Sequence, residues 1–168
     1  MITALRAFQK VRTERPSTAF LLAGEFVSSD LARAVDPMLS QPGVIRVGHQ
    51  AGGRLWNVAA ATDACINLRY PSAGETSGIA IGLMGMGKPV IVSSGEENAR
   101  YPDSACLRVD SGSAEEEMLT QYMLSLRLLP GLGAEIGSRA AEYIRRWHSI
   151  ERVAEIYWET LCAFRQSA

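Results

Sequence analysis

The sequence predicts an α/β protein with a doubly wound parallel sheet, helices on both faces of the sheet and further helices at the C-terminus. Short β-compatible runs alternate along the chain with segments of helical periodicity, which is the pattern of parallel strands joined by helical crossovers. One run, Val90 to Val92, is apolar without interruption, as in a strand that is covered on both faces. Most of the loops after the predicted strands contain glycine, which lets a ligand approach the backbone closely.

The first part of the chain is expected to begin on a helix and then alternate. A helix over 3–15 carries Leu5, Phe8 and Val11 at helical spacing, and Pro16 stops it. Ser28 is one of the residues that can cap the second helix. The predicted ranges are a strand at 18–23, a helix at 28–39, a strand at 44–47, a helix at 54–62 and a strand at 63–68.

The second part continues the alternation and then becomes helical. A helix that opens at Ser113 or Ala114 has glutamates in its first turn, where the helix dipole favours carboxylates. We expect residues 128–133 to interrupt the helices before the last two. The predicted ranges are a helix from 77 to 87, a strand at 89–92, a polar loop at 93–104, a strand at 106–109, and final helices at 134–147 and 149–164.

Composition favours one soluble domain over residues 1–168. Apolar residues make up 47% of the 168 residues, which is enough for a real core, and the formal net charge is −1. Lysine and arginine form no long block, so nothing indicates a nucleic-acid partner. No apolar run approaches the roughly 20 residues that span a bilayer, and no signal peptide is recognisable. The expected partner is a small molecule or another protein.

Cysteine and histidine do not indicate a metal site. Cys65, Cys106 and Cys162 are odd in number and widely spaced among apolar residues, as expected for reduced thiols in a cytoplasmic protein. His49 and His148 have no carboxylate or cysteine at ligand spacing. We therefore expect neither a metal site nor a nucleophilic triad. The tryptophans lie in helical segments and are expected to pack; they are Trp56, Trp147 and Trp158.

The loop at 69–78 is the strongest candidate for function. Pro71 and Gly74 favour a turn, Thr76 and Ser77 are N-cap candidates, and Glu75 lies where a helix dipole favours a carboxylate. These residues fit two interpretations equally well, a capped turn and an anion-binding loop. Ligands of doubly wound sheets bind at the carboxyl ends of the strands. The loops expected there are 24–25, 48–50, 69–78, 93–95 and the position of Asp110.

The run from Asn67 to Gly78, followed by Gly87 to Ser93, resembles the donor-binding signature of group 1 (family 4) retaining glycosyltransferases of the GT-B fold. In that family a Pro-Ser segment leads to a glutamate near a helix start, then to a small-residue helix, Gly-Lys-Pro-Val and a strand. Further likeness at 20–25, 44–48 and 148–149 extends the resemblance over most of the chain. The implied fold is Rossmann-like.

The resemblance implies that the chain binds a UDP- or GDP-linked sugar as substrate and needs no cofactor. Glu75 would contact hydroxyls of the transferred sugar, which makes it the catalytic candidate, and backbone N–H groups at the helix start would hold phosphate. The remaining predicted donor contacts are Gly24, Glu25, Gly48, Arg69, Gly74, Thr76, Ser77 and Gly78.

The chain departs from the family pattern in two ways. A second glutamate, which commonly binds the ribose, is replaced by Ile81-Gly82-Leu83. The Arg and Lys that neutralise the leaving diphosphate, and the N-terminal acceptor-binding half, are not recognisable. We therefore expect the chain to be the C-terminal half of a longer enzyme, binding donor weakly and transferring nothing alone. Glycines at 78, 82 and 85 share a helix face, for which close packing and a ligand-facing role both stay open.

Two other functions remain open. The first is a noncatalytic nucleotide-binding or protein-interaction module, with exposed Leu5, Phe8 and the final helix as its surface; the same apolar surface also fits docking of the missing half. The second is a flavodoxin-like or receiver-type domain, which is less favoured because no acidic cluster follows the first strand. The resemblance itself implies a role in polysaccharide biosynthesis at the cytoplasmic side of a membrane, either free in the cytoplasm or peripheral to the membrane in the full-length protein.

Overall fold

The computed structural model describes residues 1–26, 28–50 and 53–166, in which helices alternate with strands. A short 3₁₀ helix, Glu96–Asn98, follows the fourth strand. The elements are α1 (Ile2–Glu14), β1 (Phe20–Ala23), α2 (Ser29–Leu39), β2 (Val44–Gly48), α3 (Arg54–Ala60), β3 (Cys65–Asn67), α4 (Gly78–Gly85), β4 (Val90–Ser93), β5 (Leu107–Val109), α5 (Glu115–Leu128), α6 (Pro130–Trp147) and α7 (Ile150–Gln166).

The chain forms two compact units. The first contains residues 1–63 and 109–132, and the second contains residues 64–108 and those from 133 on. The strands hydrogen-bond in two groups, β1 with β2 and β3-β4-β5 in that order. The pairs β1–β2 and β3–β4 are parallel, so the predicted α/β class with parallel strands and flanking helices is confirmed. The single-domain assignment stays a prediction.

The first unit is centred on α1 and the β1–β2 pair. Phe20 lies opposite Val44, and α1 packs against α5. The core includes Leu5 and Phe8, which are 0% and 1% exposed, and the ring of Phe8 lies 5.4 Å from that of Phe20. The expectation that Leu5 and Phe8 offer an exposed apolar surface is therefore wrong: their face of α1 is covered within the chain.

The second unit is centred on β4. Val90, Ile91 and Val92 are fully buried, as the uninterrupted apolar run predicted, and α4 packs on β3 and β4. Helix α6 approaches the turn after α4 so closely that a Cβ on Gly137 would lie 1.9 Å from the carbonyl oxygen of Gly87. That approach requires glycine on α6.

Two expectations about the C-terminal helices need correction. The break expected over 128–133 is confined to Leu129, because α5 ends at Leu128 and α6 begins at Pro130. Proline is favoured at the first helical position, where its missing N–H costs no hydrogen bond. The packing expected of Trp158 is also absent, since its side chain is 69% exposed on α7.

Candidate functional site

The loop from Arg69 to Ser77, here called the Glu75 loop, joins β3 to α4 and is bonded to the segment after β4. The backbone N–H of Arg69 donates to Ser93 Oγ at 2.9 Å. The hydroxyl of Thr76 donates to the backbone oxygen of Glu97 at 3.5 Å. These two bonds hold both ends of the Glu75 loop against the end of β4 and the 3₁₀ helix.

The Glu75 loop ends in a capped helix. Ser77 has an extended backbone and accepts a hydrogen bond from the N–H of Ala80 on its hydroxyl at 3.2 Å, so the predicted N-cap is confirmed. Capping leaves the N–H groups of Gly78 and Ile79 without acceptors inside α4. They lie at the positive end of the helix dipole, which favours anions.

Glu75 and Arg69 form an ion pair on this loop. Arg69 Nη2 donates to Glu75 Oε1, and Nη1 donates to the backbone oxygen of Glu75 at 3.4 Å. The hydrogen bond from Arg69 lowers the pKa of Glu75, whose side chain is 56% exposed. A carboxylate has about four acceptor sites, so one bond from Arg69 leaves capacity for other donors, such as hydroxyl groups.

The turn inside the Glu75 loop is closed locally. The N–H of Gly74 donates to Ser72 Oγ at 3.0 Å. Gly74 and Thr76 are exposed, as is Gly78 at the start of α4, where an added Cβ would meet no atom within 4 Å. At the other end of α4 a Cβ on Gly85 would meet Ile144 Cγ2 at 3.4 Å. The space beside Gly78 is open and the contact at Gly85 is an ordinary van der Waals distance, so close packing does not require glycine at either position.

The first unit brings together Gly24 and Gly48 at the carboxyl ends of β1 and β2. The N–H of Gly24 donates to the carbonyl oxygen of Gly48 at 2.7 Å. Both have positive φ angles, +121° and +61°, and a Cβ at either would meet no atom within 4 Å. Glu25 follows them and is exposed. Gly24 and Gly48 are themselves partly buried, with open space where a side chain would lie.

In the second unit, two buried polar residues beside the Glu75 loop were not predicted from the sequence. Ser93 and Asn98 are 2% and 3% exposed, and Asn98 Nδ2 donates to the carbonyl oxygen of Ser93 at 2.9 Å. The sequence predicts only a polar loop at 93–104, with no sign that Asn98 is buried. The one available signal was a serine at the end of an otherwise apolar strand.

Within residues 1–26, 28–50 and 53–166, no three His, Cys, Asp or Glu side chains are grouped as metal ligands would be. In the same residues no helix has the length and apolar character to cross a membrane. Of the three cysteines, Cys106 is buried.

Solved structures provide the comparison with known proteins. The Anabaena protein HepE in complex with UDP-glucose superposes with a TM-score of 0.81 at 16% identity, over 97% of this chain and 45% of HepE. Sucrose-phosphate synthase from Thermosynechococcus elongatus gives 0.68 at 20% identity, over 96% and 43%. A glycosyltransferase from Rickettsia africae gives 0.69 at 19% identity, over 95% and 44%.

This chain spans less than half the length of each of these three proteins. Its sequence matches no protein-family model and no curated protein. The structural similarity covers nearly the whole chain and agrees with the resemblance found in the Glu75 loop. The chain therefore has the α/β fold of GT-B glycosyltransferases.

Proposed function

We propose that this chain is the donor-binding domain of a retaining glycosyltransferase and that the Glu75 loop binds the sugar and diphosphate of a nucleotide-sugar. The observation that supports this proposal most strongly is that Glu75, half-exposed and paired with Arg69, lies two residues before Ser77, the N-cap of α4. Structures of HepE with UDP and with UDP-glucose, which share this fold, support a nucleotide-sugar as the ligand class.

The proposed chemistry is electrostatic. The N–H groups of Thr76, Ser77 and Gly78, with the helix dipole behind them, hold the diphosphate and stabilise the negative charge that develops as it leaves. Glu75 accepts hydrogen bonds from sugar hydroxyls through the capacity that Arg69 leaves free. Arg69 adds a positive charge beside the same loop. Gly24, Glu25 and Gly48 stay predicted donor contacts on the strength of the resemblance and the open space beside the two glycines.

We propose that transfer also requires an acceptor-binding half in a longer protein acting at the cytoplasmic side, so that this chain alone binds donor without transferring sugar. Helix α7 supports the need for a further partner. Its apolar side chains are exposed although the rest of the chain buries a normal core; they include Ile150, Tyr157, Trp158 and Leu161, at 80%, 69%, 69% and 63%.

The testing experiment is an NMR titration of the ¹⁵N-labelled chain with UDP, GDP, UDP-glucose and GDP-glucose. We expect shifts at the amides from Thr76 to Gly78 with each ligand of the preferred base, and further shifts that require the sugar. Glu75→Ala should remove the sugar-dependent shifts and keep the diphosphate-dependent ones.

Glu135→Ala is the matched control, because Glu135 is also a half-exposed glutamate bonded to an arginine, Arg139, far along the sequence from the loop. It should leave every shift unchanged. Absence of shifts with all four ligands, or sugar transfer to added acceptors by this chain alone, would contradict the proposal.

The alternative is a noncatalytic nucleotide-binding or protein-interaction module of the same fold. The observation that favours it is the apolar stretch Ile81-Gly82-Leu83, where the family commonly has a ribose-binding glutamate. Nucleotide shifts without any sugar-dependent component would favour this alternative over the donor-binding domain.

A further inference from the structure

The side chain of Asn98 has an unusual environment for a residue in a polar loop. It is 3% exposed, and its Nδ2 donates to the carbonyl oxygen of Ser93 at 2.9 Å. Its Oδ1 is buried and has no hydrogen-bond partner among the residues that the structure describes. If the side-chain amide were rotated by 180°, Oδ1 would face the Ser93 carbonyl oxygen and two acceptors would meet. The contact with Ser93 therefore fixes Nδ2 as the atom that faces this oxygen. An unsatisfied buried acceptor is destabilising, so the asparagine side chain should have a role that offsets this cost.

The backbone around Asn98 is itself held in place. Arg108 Nη2 donates to the backbone oxygen of Asn98 at 3.1 Å and also to that of Tyr101. The hydroxyl of Tyr143 donates to the backbone oxygen of Arg100 at 2.9 Å. The segment that carries the Asn98 amide is therefore anchored by β5 and α6, and it can act as a fixed support.

Ser93 connects this support to the Glu75 loop. Its carbonyl oxygen accepts a hydrogen bond from the side-chain amide of Asn98, while its hydroxyl oxygen accepts one from the backbone N–H of Arg69 at 2.9 Å. The side chain of Arg69 then bonds Glu75. Three hydrogen bonds, linked through the covalent framework of Ser93 and Arg69, thus connect the buried Asn98 amide to the exposed carboxylate of the proposed sugar site.

We propose that Ser93, held by Asn98, is a positioning residue that sets the geometry of the Arg69–Glu75 pair for the sugar of the donor. This inference rests on the proposed donor-binding function. Because Ser93 is 2% exposed, it would act on the donor through Arg69 and Glu75. Its loss should change sugar recognition more than diphosphate recognition, because the diphosphate is assigned to the separately capped start of α4.

The test compares Ser93→Ala, which removes only the hydroxyl, with Ser93→Thr, which keeps it. The control is Thr120→Val. Thr120 is 4% exposed and donates to the Glu116 backbone oxygen at 2.8 Å inside α5, so this variant also removes one buried hydroxyl hydrogen bond. Two readouts are measured in each variant: the exchange rate of the Arg69 amide without ligand, and the affinities for UDP, GDP, UDP-glucose and GDP-glucose.

In Ser93→Ala we expect the Arg69 amide to exchange roughly 2- to 10-fold faster and the affinity for the sugar-linked nucleotide to fall roughly 2- to 10-fold, with a smaller loss for the free nucleotide. Ser93→Thr and Thr120→Val should match the wild type in both readouts. Equal losses for the two ligand types, an unchanged Arg69 amide, or the same losses in Thr120→Val would overturn the inference. If the wild-type chain binds none of the four ligands, the proposed function is overturned. The exchange rate of the Arg69 amide in Ser93→Ala would then be the measurement that shows whether Ser93 positions the loop.

Discussion

Among single residues, Arg69 has a direct electrostatic effect on Glu75, whose pKa it lowers. The hydrogen bond from Arg69 is the largest cause that holds the pKa of Glu75 below the ordinary value of 4.5. Replacing Arg69 with glutamine removes the charge, so the Glu75 pKa should rise towards that value. A ¹³C NMR titration of the side-chain carboxyl measures it directly. Because the folded-state pKa is the lowered one, the stabilisation from this ion pair is present above the ordinary pKa and is lost as the pH falls through the folded value.

Arg139→Gln is the control at this scale, since it removes the arginine of the Glu135–Arg139 pair and should leave the Glu75 pKa unchanged. A Glu75 pKa that stays low in Arg69→Gln would show that the backbone around Glu75, and not Arg69, sets its ionisation.

Local chemistry explains which residues of the site the sequence revealed. Ser77 was predicted as a cap because an N-cap depends on its neighbours along the chain, and the structure confirms it. The Ser93–Asn98 hydrogen bond forms between buried residues, and the burial of Asn98 could not be predicted from the polar sequence around it. The ion pair between Arg69 and Glu75 could not be predicted either, because six residues and a turn separate them in the sequence.

At the element scale, the packing of α6 against the turn after α4 depends on Gly137. A Cβ there would lie 1.9 Å from the Gly87 oxygen and 2.8 Å from the Gly87 carbonyl carbon, both backbone atoms that move only if an element shifts. We expect Gly137→Ala to lower the free energy of unfolding by about 1–3 kcal/mol, the usual range for overpacking. Urea unfolding monitored by circular dichroism measures the change.

The same helix supplies the control. A Cβ on Gly131 would meet no atom within 4 Å, so Gly131→Ala should be neutral or stabilise by up to about 1 kcal/mol through helix propensity. Equal effects of the two substitutions would mean that α6 does not depend on close approach at Gly137. The break was predicted too long because glycine discourages a helix locally, whereas α6 begins at Pro130, where proline is favoured, and continues through Gly131.

At the scale of the whole molecule, periodicity predicted which helices have apolar faces and could not predict what covers them. α1 and α7 both carry apolar residues at helical spacing. The face of α1 with Leu5 and Phe8 is buried, whereas α7 has no buried residue among those whose side chains the structure describes. The order of strands and helices was predictable because apolar runs and helical periodicity are properties of short stretches of sequence. Which residues cover the apolar face of a helix depends on segments far away in the sequence. For α7 the proposed function implies that a partner covers this face.

Helix α7 should therefore contribute little to the stability of this chain. Tyr157 and Trp158 are each 69% exposed, so the double variant Tyr157→Ala/Trp158→Ala should change the free energy of unfolding by no more than about 0.5 kcal/mol per site. Phe8→Ala, at a position 1% exposed, should cost about 3–5 kcal/mol and serves as the reference for a packed aromatic residue. Urea unfolding of the three proteins gives both values. A loss in the double variant that approaches that of Phe8→Ala would show that α7 packs within this chain and needs no partner, whereas the expected small loss leaves its apolar surface available for the acceptor-binding half.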